Sequence, residues 1–326
     1  MLRQQDVGHR IVVRRIVGIR EGRPLFSDAL GELVELSETH LTLATAQGPL
    51  RVPVAQVHRA KRVPPTRRPT AAAVVALERA ADEAWPAPTR GRLGDWLLRS
   101  AEGWTGRANS ALPIGDPDRP LPAAVDAVER WYADRGQPAM INTPLPLAAP
   151  VGAELDERGW DSRPPTLVQT APLPLPPAAA PATSGGAVVE VVTAPSDEWL
   201  AVAAGRKGGL PDAARHVLTA VGQVRFAHVY VDGTLVAIGR GTVTGEGRWL
   251  GLSLIEVLPT ARRQGLARRV IVALSAWGVS VGATHAFLQV EQRNTTAVAL
   301  YRTLGFVTHH TYLTRVAPHP TDPATA

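Results

Sequence analysis

Residues 255–268 read Ile-Glu-Val-Leu-Pro-Thr-Ala-Arg-Arg-Gln-Gly-Leu-Ala-Arg. The run Trp249–Val257 ahead of Pro259 reads as an apolar strand, and a helical pattern starts near Gly265 and continues to about residue 281. Between them lies a basic, glycine-containing turn. Such a turn leaves backbone N–H groups unpaired at a helix N-terminus, where hydrogen bonding and the helix dipole both favour phosphate oxygens. Gly265 lets the backbone approach an anion, Ala267 keeps bulk away, and Arg262, Arg263 and Arg268 add positive charge. By itself the pattern Arg262-x-x-Gly265-x-Ala267 also fits an ordinary basic helix start.

The next stretch narrows the choice. A strand over 286–290 leads into Asn294-Thr-Thr-Ala-Val-Ala-Leu-Tyr301-Arg-Thr-Leu-Gly305-Phe306. Asn294 is placed to cap a short helix, Ala297, Leu300, Tyr301 and Leu304 share one helical face, and Gly305 stands where a left-handed terminal residue is expected. The two motifs, in this order around a strand–turn–helix–strand–helix unit, resemble those of the GCN5-related N-acetyltransferases, the GNAT superfamily. The resemblance covers residues 187–317.

The resemblance implies a site. Ile255, Glu256 and Val257 would offer backbone groups to the pantetheine arm and thioester of acetyl-CoA. Arg262, Arg263, Gln264, Gly265, Leu266, Ala267 and Arg268 would cradle the pyrophosphate, with Asn294 and Tyr301 also lining the coenzyme. Direct attack by a neutral amine needs an oxyanion donor, for which the Val257 N–H is the candidate. It also needs a proton for the departing thiolate, for which Tyr301 matches the family position. A phenol of pKa about 10 serves a thiolate of pKa about 8.5 only if well placed, and the alternative is a ring that simply packs on the coenzyme. Many relatives carry a Glu five residues before the Asn; here that position is Gln289, which takes no proton. Glu256 and Glu291 are the substitute bases, each also readable as an ordinary strand carboxylate.

Composition sets the bounds. The chain has 326 residues, 45% hydrophobic and 20% charged, with no cysteine, which excludes disulfides and thiolate chemistry. No apolar stretch is long enough to span a bilayer, no signal peptide is apparent, and the nine histidines show no metal spacing, so a soluble, cytoplasmic, metal-free protein is expected. Adjacent His309 and His310 are expected on opposite faces of a terminal strand. Residues 1–70 carry twelve Lys/Arg against six Asp/Glu, so the net charge of +6 resides there. Short β-like runs over residues 6–60 read as a small barrel resembling the SH3-like module ahead of some actinobacterial acetyltransferases. With Phe26 its only aromatic, a nucleic-acid partner is not expected.

Between a proline-rich linker at 64–69 and an uncharged Pro/Ala linker at 171–186 lies a second copy of the motif-bearing half. At a constant offset of 146, Leu112-Pro113 falls on Leu258-Pro259, Trp131 on Trp277, Gly136 on Gly282 and Gly159-Trp160 on Gly305-Phe306. In this copy Asp116, Pro117, Arg119, Pro120 and Pro122 replace the cradle, removing backbone donors and adding a negative charge. Arg107, Asn109 and Ser110 crowd an otherwise apolar strand and are candidates for binding the acceptor; a satisfied turn is the other reading. The expectation is therefore a mixed α/β chain of tandem GNAT folds behind an SH3-like barrel. Its boundaries are 1–62 (barrel), 70–172 (degenerate GNAT-like domain) and 187–317 (catalytic GNAT domain). The expected activity is transfer of acetyl from acetyl-CoA to the primary amine of a small molecule. Acetylation of a protein lysine or N-terminus, or a non-catalytic acyl-CoA sensor, are the alternatives.

Overall fold

The computed structural model describes residues 2–45, 48–63, 69–176, 186–205 and 210–318. Most of the 64–69 linker, Gln47 and the middle of the 171–186 linker lie outside the described residues. The chain divides into two compact units, Met1–Arg68 and Pro69–Ala326.

The first unit is an antiparallel sheet of β1 (Arg10–Arg20), β2 (Arg23–Leu36), β3 (His40–Thr45), β4 (Gly48–Pro53) and β5 (Val57–Arg62), in the order β4-β3-β2-β1-β5. Ile11, Val13, Leu33, Leu41, Leu43 and Val52 form its core. The expected barrel is not closed. Closure needs the edge strands to pair, but the chain passes from β4 through a 3₁₀ turn (Val54–Gln56) to β5 on the far edge, which pairs only with β1. The outer part of the β1–β2 hairpin keeps Val17, Ile19, Leu25 and Phe26 exposed, so no core extends along it to draw the sheet shut.

The second unit opens with α1 (Ala71–Ala84), capped by the Thr70 side chain, which accepts from Ala73 N at 3.2 Å. The hairpin β6 (Thr89–Leu93) and β7 (Trp96–Ser100), α2 (Leu121–Ala133), β8 (Met140–Leu145), α3 (Ala149–Glu157), β9 (Asp161–Ser162) and β10 (Thr166–Pro172) follow. Then come β11 (Val188–Val192), α4 (Asp197–Ala204), α5 (Asp212–Thr219), β12 (Val224–Val231), β13 (Thr234–Thr244) and β14 (Trp249–Val257). The last elements are α6 (Leu266–Ser280), β15 (His285–Glu291), α7 (Thr295–Thr303) and β16 (Val307–Val316). One sheet runs β11-β12-β13-β14-β15-β10-β16-β8, with β9 beside β16. Only the β14–β15 pairing along this path is parallel.

Period-2 alternation on the central strands feeds two cores. Leu250, Leu252, Ala286, Leu288 and Val290 pack against Leu266, Val270, Ile271 and Leu274 of α6. On the other face Phe287, Val168 and Tyr312 meet Leu77, Ala81 and Ala84 of α1. Gly239 permits the close approach of α6, since a Cβ there would fall on Val270 Cγ1.

The last strands of the two halves are exchanged. β10 pairs with β15 along its whole length, from Thr166↔Glu291 to Pro172↔His285, while β16 pairs with β8 from Thr311↔Leu145 to Val316↔Met140. Each half therefore completes the sheet of the other. The offset of 146 holds for α3 on α7, end to end, and for the positive-φ pairs Gly136/Gly282 and Gly159/Gly305. It fails before α2. Ala111 bridges Ile141 where the other half pairs Gly251 with Phe287, so the first half has no counterpart of the outer part of β14.

Candidate active site

β14 carries the geometry that matters. Arg240 pairs with Ser253 and Ile238 with Glu256, so Leu254 and Ile255 together oppose Gly239 in a bulge, with Leu254 at φ +52°. Pairing with β15 ends at Leu252↔Leu288, although β14 continues to Val257 and β15 to Glu291. The two strands part there. Leu258 N donates to Val236 O at 2.9 Å, which makes Ala237–Val257 the next, non-hydrogen-bonded pair. In an antiparallel ladder such a pair turns its N–H and C=O away from the partner. The Val257 N–H therefore points into the gap between the parted strands.

The chain then makes a 3₁₀ turn (Pro259–Ala261) and enters α6 with Arg263 at φ +67° and Gly265 at φ +75°. Gly265 is the N-cap and supplies no side chain; the first intrahelical bond runs from Arg269 N to Gly265 O at 3.2 Å. The N–H groups of Leu266, Ala267 and Arg268 precede it and lack helical acceptors. Arg262, Arg263, Gln264 and Gly265 are exposed, Leu266 is buried beneath them, and Ala267 is half-buried. The Arg262 Nε–H donates to Val257 O at 3.3 Å and Arg268 Nη2 to Thr303 Oγ1 at 2.9 Å, tying this turn to the strand end and to α7. The result is an exposed, cationic set of open N–H donors beside a parted strand pair, which suits the diphosphate and amide-bearing arm of a coenzyme A thioester.

Asn294 caps α7, its Oδ1 accepting from Ala297 N at 3.2 Å. Tyr301 is half-buried on that helix against the α6-side core, its ring 6.0 Å from that of Phe306. Glu256 is half-buried on the outer part of β14; Glu291 is exposed and ion-paired with Arg293 at 2.6 Å.

The three residues of the first half separate. They lie on a loop with a 3₁₀ turn (Arg107–Asn109), where a strand was expected; no neighbouring backbone continues a ladder across it. Asn109 Oδ1 accepts from Ala101 N (2.8 Å) and Gly103 N (3.0 Å), and its Nδ2 donates to Thr105 O (2.7 Å). Ser110 is fully buried, accepting from Arg99 Nη2 (3.1 Å) and donating to Arg107 O (3.1 Å). Both are consumed in shaping the loop. Arg107 alone keeps capacity to spare, with a buried Nε lacking a hydrogen-bond partner. Nor do His309 and His310 lie on opposite faces. A bulge at Val168/Gln169 against β16 brings their Nδ1 atoms to 2.9 Å, and His310 Nε2 meets Glu78 Oε1 at 2.7 Å.

Several residues near the site escaped the sequence reading. Tyr312 Oη donates to Gln289 Oε1 at 3.4 Å. Arg240 is fully buried; burial, and Arg107 nearby, lower its pKa to about 9. These contacts join distant strands and leave no local pattern. Glu78 and Asp82, both buried on α1, did leave one: two carboxylates four apart among the apolar positions of an alanine-rich helix. Among the described residues, no group of His, Asp or Glu is placed to hold a metal ion, and no helix is long and apolar enough to cross a membrane.

A bulged strand that parts from its parallel neighbour, followed by an anion-accepting helix start, defines an acyltransferase of the GNAT superfamily. Residues 71–314 match the family described as "Probable histone acetyltransferase Rv0428c C-terminal", and the chain belongs to it. It is 31% identical over 322 residues, 95% of either chain, to "Probable histone acetyltransferase Rv0428c" of Mycobacterium tuberculosis. It is 30% identical over 250 residues to "Uncharacterized N-acetyltransferase YobR" of Bacillus subtilis, covering 72% of this chain and 96% of that one. Among solved structures, a GCN5-related N-acetyltransferase from Kribbella flavida shares the fold with a TM-score of 0.58 at 19% identity, over 78% of this chain and 98% of its own.

Proposed function

We propose that the enzyme transfers an acetyl group from acetyl-CoA to the primary amine of a small molecule, by direct attack in a ternary complex on the 187–317 half. The observation that carries this reading is the Val257 N–H, turned into the gap between β14 and β15 and followed at once by the open N-terminus of α6. In this reading residues 263–268 hold the diphosphate, the backbone of Ile255–Val257 holds the thioester arm, and the Val257 N–H receives the oxyanion. Tyr301 returns a proton to the sulfur. Glu256, on the strand that holds the thioester arm, takes the amine proton through water.

We further infer that residues 70–172 are a degenerate tandem partner that binds no coenzyme. Its α2 begins behind Pro120, with Pro122 in the first turn, so one of the three N–H donors that α6 exposes is missing and the rigid Pro120 stands where α6 has Gly265. The test is calorimetric titration with acetyl-CoA, followed by thiol release against an amine library. One coenzyme per chain and turnover on a small amine support the reading. Binding without any turnover leaves an acyl-CoA sensor. The name of the Mycobacterium tuberculosis relative favours a protein lysine as the second reading, and histone-like peptides belong in the same library.

A further inference from the structure

The face of the sheet beneath α1 gathers polar side chains from both halves. Ser253 and Gln289 are the first residues past the last paired positions of β14 and β15. Gln289 opposes Val168 on β10, whose other partner is His310; Glu291 and Tyr312 likewise flank Thr166. Arg107 reaches this face from its loop, beside the Tyr312 hydroxyl and with its Cζ 5.2 Å from the Trp85 ring centroid.

The donors here outnumber the acceptors. Arg107 Nε, Gln289 Nε2 and Ser253 Oγ are buried without hydrogen-bond partners. The carboxylates on this side are engaged elsewhere: Glu78 with His310 at 2.7 Å, and Asp82 with Arg99 at 3.3 Å and with Arg90. Arg240 spends its N–H groups on carbonyls. Among the described residues Arg107 forms no salt bridge; burial, the largest influence, disfavours its charge, while Tyr312, to which it is hydrogen-bonded, and the nearby Glu78 favour it. The buried, unpartnered Nε of the half-buried Arg107 and the open amide NH2 of Gln289 beside the parting strands call for an anionic, oxygen-bearing ligand.

We propose that Arg107 is a specificity-determining residue that receives a carboxylate of the acyl acceptor, so that the acceptor is a free amino acid or close analogue rather than a lysine within a protein. Gln289 Nε2 completes the recognition, and Tyr312 orients Gln289. This rests on the acetyl-transfer reading above.

The test uses the full chain, acetyl-CoA and a panel of free L-amino acids, each matched with its decarboxylated amine and its carboxamide, together with lysine-containing peptides. The acid of an accepted pair is expected to exceed its amine by about 10²–10³-fold in kcat/KM. Arg107→Met should erase that preference by raising KM for the acid far more than for the bare amine, while calorimetric affinity for acetyl-CoA is kept. Arg107→Lys should restore part of it, which separates recognition from misfolding. Equal use of acid, carboxamide and peptide would overturn the proposal, as would an Arg107→Met loss shared by acid and amine. If acetyl-CoA binds but no amine is acetylated, it is the transfer reading that fails. Calorimetry of the same amino acids with coenzyme A-loaded protein then decides: binding that depends on Arg107 upholds the anion site, and no binding removes it.

Discussion

Arg240 offers the most direct test of how the two halves are joined. Its guanidinium donates to Leu218 O (2.8 Å) and Val217 O (3.1 Å) in α5, and to Ala84 O (2.9 Å) at the end of α1. All three carbonyls belong to the last turns of helices, where the dipole favours a cation. The side chain is 1% exposed. Its pKa of about 9 still lies well above neutrality, so the bonds are charge-assisted at pH 7. Arg240→Met keeps much of the apolar stem and removes all three donors. Each stranded carbonyl costs about 1–3 kcal/mol, and the sum is reduced by several kcal/mol because the charge no longer needs desolvating. At mid-range values, about 6 kcal/mol for the three carbonyls less about 3 for desolvation, a net loss of about 3 kcal/mol is expected, a large part of the 5–15 kcal/mol that holds a typical domain.

Urea unfolding followed by tryptophan fluorescence measures the loss, and hydrogen exchange on α1 amides locates it. Protection should fall first near Ala84 and Trp85, whose ring lies 5.2 Å from the Arg240 Cζ. Arg240→Lys should fall between wild type and Met, since one ammonium cannot reach carbonyls on two helices in fork geometry. A Met variant within about 1 kcal/mol of wild type, with α1 exchange unchanged, would show that these bonds do not hold α1 to the catalytic sheet.

Three further outcomes are expected. Gly265→Asp, or Arg263→Glu with Arg268→Glu, should weaken acetyl-CoA binding by at least about 10-fold in calorimetry, because charge-assisted bonds of about 1.5–3 kcal/mol each are lost; unchanged affinity would move the coenzyme away from α6. Tyr301→Phe should keep affinity and lower turnover by about 10²–10⁴; full activity would leave the ring as packing only. His228, His285 and His309 all have pKa values lowered chiefly by burial, so the folded state favours their neutral forms. Stability should therefore be retained above the unfolded-state value near 6.5 and lost as pH falls from there through the lowered folded values. A midpoint that stays flat from pH 7.5 to 5 would refute this, and His228→Gln should flatten part of the slope.

What the sequence made legible was local. Trp249–Val257, the helix that starts near Gly265 and the helix after Asn294 are set by periodicity and caps within one segment, and the structure has them with those bounds or within a residue or two. The left-handed glycines Gly265 and Gly305 were legible for the same reason. What failed was long-range. Openness of the first sheet depends on whether β4 meets β5, which no local pattern encodes. Arg107, Asn109 and Ser110 looked equivalent in sequence, yet only the path of the loop decides which polar atoms are consumed. The His309–His310 contact arises from a bulge against β10, a strand more than a hundred residues away in sequence.

On the reading proposed above, in which residues 70–172 bind no coenzyme, the exchanged strands account for keeping that half. β10 is the only neighbour of β15 on the side away from β14, and it pairs with every residue of that strand. Were it lost, β15 would face β16 across an empty strand position, and the parting of β14 from β15 would have no fixed wall to part from. α1 closes the face below through Leu77, Ala81 and Ala84. The two halves are thus bound to each other by backbone pairing of β10 with β15 and β16 with β8, and by the Arg240 bond to Ala84.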